Sequence, residues 1–162
     1  MTPPSQAATY ERARRRANVC VWTVALQVRR LRTEEPEDGG FVLRRWADLE
    51  FLIVALTRLR RAGVLASKIP VIRDDMCVAL KEFDRALPAL TKMRNIAEHF
   101  DDYAMDQGYD RNVSRKSLEV GVIAGTRFQW LGCELDADMS LAAASQLFQA
   151  LQLAGSSLSR HD

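Results

Sequence analysis

Between Ala7 and Met105 apolar residues return every three or four positions, and the runs break only at a few prolines and glycines. That period lays one apolar stripe along a helix, so this stretch folds as amphipathic helices that bury their stripes against one another. The first run, residues 7–32, turns Ala13, Ala17, Cys20, Val21, Val24, Val28 and Leu31 inward. Pro36 and the pair Gly39-Gly40 mark a turn. The second, residues 41–62, uses Trp46, Leu49, Ile53, Leu56 and Leu59, and Gly63 stands where a C-terminal cap belongs. The third, residues 71–87, uses Ile72, Met76, Leu80 and Phe83. Pro88 suits the first turn of a fourth helix that runs to about residue 105, with Ala89, Met93, Ile96, Ala97, Phe100 and Ala104 inward.

Beyond residue 106 the pattern changes. Residues 107–116 are a polar loop containing Gly108. Residues 117–123 alternate, Ala124-Gly125 is a turn, and residues 126–131 hold Phe128 and Trp130. That is a β-hairpin signal. Asp136–Asp138 offers an N-cap for a last helix over residues 139–153, followed by a frayed tail from Gly155. The expected fold class is mainly α: a four- to five-helix antiparallel bundle with one C-terminal β-hairpin followed by a last helix. A length of 162 residues fits a single domain. Residues 7–106 would form the bundle, 107–155 the hairpin and final helix, and 156–162 a tail.

Composition narrows the class. With 48% apolar and 27% charged residues the chain reads as an ordinary globular protein. No apolar run reaches the roughly 18 residues of a membrane span, so no membrane is expected as a partner. Residues 1–6 lack the basic and apolar blocks of a signal peptide. Cys20, Cys77 and Cys133 are odd in number, widely spaced and without a C-x-x-C pair. They imply buried, unpaired thiols in a reducing, cytoplasmic compartment. The two histidines, His99 and His161, have no cysteine near them in sequence, so no zinc is expected. Residues 121–126 lack the lysine of a P-loop, and neither G-x-S-x-G nor H-E-x-x-H occurs. No cofactor is called for.

The net charge of +2 hides an uneven distribution. Residues 1–61 hold twelve arginines against seven acids, a local net of +5, including Arg12, Arg14, Arg15 and Arg16 near the start. Residues 91–110 hold two bases against five acids, a net of −3. The basic front could contact RNA phosphates, complement the acidic stretch, or simply be a solvated helix start. Of 23 basic residues 19 are arginine, a bias that suits phosphate but also follows from base composition.

The polar constellation that stands above background lies in that acidic stretch: Arg94-Asn95-Ile96-Ala97-Glu98-His99-Phe100-Asp101-Asp102-Tyr103. On a continuous helix Asn95, His99, Asp102 and Asp106 share one polar stripe, while Arg94 lies on the opposite flank over Glu98. Arg94 and His99 then border the buried face from both sides, and a two-fold axis along the helix would unite pairs from two copies. Such a set suits phosphodiester cleavage in RNA. An imidazole takes a proton from the 2′-hydroxyl or gives one to the leaving oxygen. A guanidinium stabilises the charge on the phosphorane, and no metal is needed. Glu98 and Asp102 would modulate the site by favouring a protonated imidazole and repelling the RNA backbone.

Arg94-Asn95-x-x-x-His99 inside a helical chain of this size resembles the signature of the HEPN superfamily. The resemblance covers the motif and the helical plan, roughly residues 7–106, and not the hairpin or last helix. It implies a metal-independent endoribonuclease with a composite site at a homodimer interface, with Arg94, Asn95 and His99 as the catalytic residues. It also implies a setting in toxin–antitoxin, defence or RNA-processing systems, with RNA and an antitoxin or other protein as partners. The toxin branch carries a tyrosine two residues after the histidine, the target of nucleotidyl modification by its antitoxin. This chain has Asp101 there, with Tyr103 the nearest tyrosine, which sets it closer to HEPN-like bacterial proteins outside that branch.

Blander readings of the same residues remain. His99 could be a surface or interface histidine bonded to Asp102 or Asn95. Arg94 and Glu98 could be an ordinary i, i+4 ion pair. His99, Asp102 and Asp106 would make a weak chelate on one helix. Trp22, Trp46 and Trp130 read as core or interface residues. A non-catalytic dimerisation or partner-binding module, with the hairpin as its docking edge, and a small-ligand regulatory domain are the alternatives to the enzyme. The enzyme reading carries a geometric condition: the basic front helices must supply positive surface beside His99.

Overall fold

The first apolar stripe becomes α1, Gln6–Arg32, whose Ser5 side chain accepts the Ala8 amide at 3.2 Å and caps its start. The structure, a computed structural model, describes residues 4–39 and 43–158. The Gly39-Gly40 turn and the start of the second helix fall partly outside the described residues. α2 is Arg44–Ala66, α3 Arg73–Ala86, α4 Leu90–Glu98, α5 Phe100–Ala104 and α6 Ala137–Leu158. Short 3-10 turns stand at Pro36–Gly39, Pro70–Ile72 and Arg115–Leu118. The strands are β1, Gly121–Ala124, β2, Arg127–Trp130, and β3, Cys133–Asp136.

The fold is mainly α with a C-terminal sheet and a last helix, as the periodicity requires. α1 packs along α2 and along α6, and α6 packs along α3. The inward positions of α1 are buried apart from half-buried Val21, and Leu49, Ile53, Leu56, Leu59, Ile72, Met76, Leu80 and Phe83 are buried as well. These residues join with Phe128, Trp130 and Leu135 of the sheet in one connected core.

Several expectations change. Gly63 is not a cap: α2 continues past it to Ala66. A Cβ there would stand 3.0 Å from Leu80 Cδ2, so the bare glycine lets α3 close on α2. Gly155 begins no frayed tail but lies inside α6, buried against the Tyr10 ring, and the helix runs on to Leu158. Residues 159–162, His161 among them, lie outside the described residues. The hairpin is a three-stranded antiparallel meander, β1-β2-β3. Its first turn is Gly125-Thr126 rather than Ala124-Gly125. The second turn is Leu131-Gly132, both with positive φ (53° and 67°), the geometry that joins tightly twisted strands. A leucine rarely adopts it; complete burial of the Leu131 side chain supplies the compensation. Asp136 does cap α6, its Oδ1 accepting the amides of Asp138 (2.9 Å) and Met139 (3.0 Å).

The tryptophans separate. Trp130 is buried, donating from Nε1 to the Leu118 carbonyl at 2.9 Å, and Trp46 packs edge-on against it at 6.2 Å. Trp22 is 71% exposed on the outer face of α1, beside exposed Val19 and Leu26. All three thiols are free. Cys20 is buried, but Cys77 is exposed and Cys133 half-buried, because Cys77 falls on the outer side of α3, next to exposed Val78. Burial pushes the Cys20 and Cys133 thiols above their usual pKa. No described helix is long and apolar enough to cross a membrane.

The start of α2 is tied to the end of α1 by Arg44, a buried arginine. Its Nη1 donates to the Arg30 carbonyl (2.9 Å) and to Asp48 Oδ2 (3.1 Å). Its Nη2 donates to the Thr33 carbonyl (2.8 Å) and to Asp38 Oδ2 (2.7 Å), and Nε reaches the other Asp38 oxygen. Arg30 closes the set on Asp48 at 2.8 Å. Arg44 thus adds a donor to two carbonyls at the end of α1, those of Arg30 and Thr33.

Candidate functional site

The fourth helix is broken at His99. Residue 99 leaves helical geometry (φ −117°, ψ 33°), while its amide still reaches the carbonyls of Asn95 and Ile96, each at 3.2 Å. α5 then restarts with Asp101 and Asp102 in its first turn, where carboxylates favour a helix N-terminus. The break resets the register. Phe100, expected inward, is 36% exposed and leans on Trp46 at 6.1 Å. Tyr103, which is not among the expected inward positions, is buried.

The polar side of α4–α5 faces the loop over residues 107–112 across an open cleft of about 1270 Å³. Asn95, His99 and Asp102 line it together. His99 is 66% exposed, with Nδ1 at 3.5 Å from Asp102 Oδ2, an ion-pair separation rather than a hydrogen bond. Asp106, the fourth member of the expected stripe, leaves it: its backbone takes φ +58° and its Oδ2 pairs with Arg115 Nε at 2.9 Å. Among the described residues no three His, Cys, Asp or Glu side chains gather closely enough to hold a metal ion.

Arg94 does not line the cleft. It lies on the other flank of α4, with Nη1 at 2.5 Å from Glu98 Oε2. Within one chain the guanidinium and the imidazole are therefore not brought together, as the helical wheel implies. The arginines near the start of α1 are also distant. Tyr10 donates to the Leu151 carbonyl at 3.3 Å, so α1 begins beside the end of α6. It ends beside the start of α2, where Trp46 meets Phe100. At 1.5 Å per residue, Arg14 stands about 24 Å along α1 from Arg30. Arg12, Arg14, Arg15 and Arg16 thus occupy the end of α1 away from His99. Arg14 and Arg15 share Glu11 at 2.8 and 2.6 Å, which holds the Glu11 carboxyl down at about 2. The four arginines near the start of α1 therefore do not supply positive surface beside His99 in a single copy.

Other residues take that place. Lys92 lies three residues before Asn95 on the same side of α4 and lines the cleft, as do Arg111, Tyr109 and Asn112 from the loop. Lys92 Nζ is 2.8 Å from Asp110 Oδ2. That bond raises the lysine pKa and, with the Asn112 amide, lowers that of Asp110. The Asp110 amide donates to Tyr103 Oη at 3.1 Å. Gly108 lies flat on the Tyr103 ring, where a Cβ would come within 2.2 Å of a ring carbon. Lys92 could have been found from its spacing of three and seven to Asn95 and His99. Tyr109 and Arg111 carried no periodic signal, because loop residues have none. Comparison of the chain with protein-family models, curated proteins and solved structures found no match.

Proposed function

We propose that this is a HEPN-like, metal-independent endoribonuclease that works as a homodimer through Arg94, Asn95 and His99. The observation that supports it most is the cleft itself: an exposed imidazole and an exposed amide in an open volume of about 1270 Å³. That volume exceeds the roughly 300–1,000 Å³ of small-molecule pockets, which favours a polymer over the small-ligand alternative. In the reaction a His99 imidazole removes the 2′-hydroxyl proton as O2′ bonds to phosphorus. The P–O5′ bond breaks, and the departing O5′ takes a proton from the imidazolium of the second copy. The products are a 2′,3′-cyclic phosphate and a 5′-hydroxyl. Asn95 orients the phosphate, and Arg94 of the facing copy, released from Glu98, stabilises the phosphorane charge.

The test is cleavage of a transfer RNA or other structured RNA by the purified protein. Arg94→Ala and His99→Ala should each abolish cleavage while the circular dichroism and melting temperature stay close to wild type. Cleavage that survives both substitutions, or a wild-type protein that cleaves no RNA in a broad panel, overturns the reading.

The second reading, a non-catalytic dimerisation or partner-binding module, is favoured by Arg94 being held by Glu98 and by acidic Asp101 and Asp102 beside His99. Its docking edge would be β1, whose residues are all exposed and whose outer edge is unpaired within the sheet. The irregularity at Ile123 blunts that edge. On this reading His99→Ala alters oligomeric state or melting and nothing catalytic.

A further inference from the structure

Tyr109 is 99% exposed. A ring left wholly in water is unremarkable on a loose loop, but this loop is pinned residue by residue. Gly108 lies against Tyr103, the Asp110 amide binds Tyr103 Oη, and the Asp110 carboxylate binds Lys92. The same carboxylate also accepts the Asn112 amide at 3.0 Å and the Asn112 side chain at 3.1 Å. The backbone on both sides of Tyr109 is thus fixed to α4 and α5, and it holds the ring at the rim of the cleft. Two residues on, Arg111 gives one N–H to the Asp106 carbonyl at 3.1 Å and forms no ion pair among the described residues. The lining of the cleft therefore carries, with Asn95 and His99, an exposed aromatic ring and, two residues on, a guanidinium with no ion pair among the described residues.

We infer that Tyr109 and Arg111 form the platform for an unpaired nucleotide of single-stranded RNA, the base stacking on the ring and the adjacent phosphate held by the guanidinium. This rests on the ribonuclease reading and narrows its substrate class. A base reaches an exposed ring only when it is unstacked, so loops and single strands bind and continuous duplex does not. Lys92 is already engaged by Asp110, which leaves Arg111 as the phosphate contact.

The experiment uses the full-length protein and a short fluorescein-labelled 2′-O-methyl RNA oligonucleotide, single-stranded or annealed to its complement. Without a 2′-hydroxyl this probe cannot be cleaved, so binding is read separately from catalysis. Anisotropy should show tighter binding of the single strand than of the duplex. Tyr109→Ala should weaken single-strand binding roughly tenfold, and Tyr109→Trp should restore it. Arg111→Gln should reduce the slope of log affinity against log salt by about 0.7. Tyr109→Ala binding as tightly as wild type, or a preference for duplex, overturns the platform; if the wild type still cleaves, the ribonuclease reading stands. Tyr109-dependent binding with no cleavage of ordinary RNA supports the platform and removes the ribonuclease reading. A wild type that neither binds nor cleaves removes both.

Discussion

Arg44 and Arg94 stand in the same local relation to an acid: each has a carboxylate four residues later on its own helix, Asp48 and Glu98. Their surroundings differ completely. The Arg44 and Asp48 side chains are 7% and 5% exposed, and Arg44 also donates to two carbonyls at the end of α1. Those of Arg94 and Glu98 are 29% and 54% exposed and hold nothing else among the described residues. The first is a buried clamp between helices. The second is a surface pair worth little to stability, so its guanidinium can change partner. One spacing yields both a structural arginine and one available to a substrate, and burial decides which is which.

The comparison breaks most visibly at Arg44. Arg44→Ala removes the donor to Asp48 Oδ2 and to the Thr33 carbonyl and the ion pair to Asp38, and should lower stability by about 3 kcal/mol, read as a drop in the urea midpoint. Arg94→Ala should do the reverse. Stability should move by less than about 0.5 kcal/mol. RNA cleavage should fall about a hundredfold or more, and a matching loss of stability would place Arg94 with Arg44 as a structural residue. Gly108→Ala tests the wall opposite His99. Its Cβ would collide with the Tyr103 ring, so thermal denaturation should report a loss of about 2 kcal/mol. Cleavage should drop with it as the loop is pushed from α4. The smallest effect is on pH dependence. Arg44 and the Glu35 amide hold the Asp38 carboxyl at about 2, below its ordinary 3.8. The stability this contributes is complete above about pH 4 and is lost as pH falls through about 2. Asp38→Asn should flatten that acid limb in a melting-temperature series. An unchanged limb would mean that other carboxylates govern acid unfolding.

The bundle core was legible because helical periodicity is a local property. The stripes of α1, α2 and α3 depend only on residues three and four apart, and nearly every one of those positions is buried. The N-cap at Asp136 was legible for the same reason. What failed was non-local. Gly63 looks like a helix end until Leu80 of another helix is seen packed on it. Cys133–Asp136 is too short to announce a strand, and forms one because β2 offers a partner through the turn at Leu131-Gly132. Cysteine usage points to buried thiols, yet Cys77 falls on the outer side of its helix, and Trp22, core or interface by residue type, lies on the outer side of α1.

The sequence by itself determined the helices, their apolar faces, and the proximity of Asn95 to His99 along one strip of chain. Those follow from the 100° turn between successive residues, which needs no information from elsewhere. The tertiary structure decided that the helix breaks at His99 and that Tyr103 rather than Phe100 goes inside. It also decided that the loop carrying Tyr109 and Arg111 is tied by Lys92 and Tyr103 to the far wall of the cleft. Those facts depend on which surfaces are left to bury once α2, α4 and the sheet have met. No spacing within a single helix contains that information.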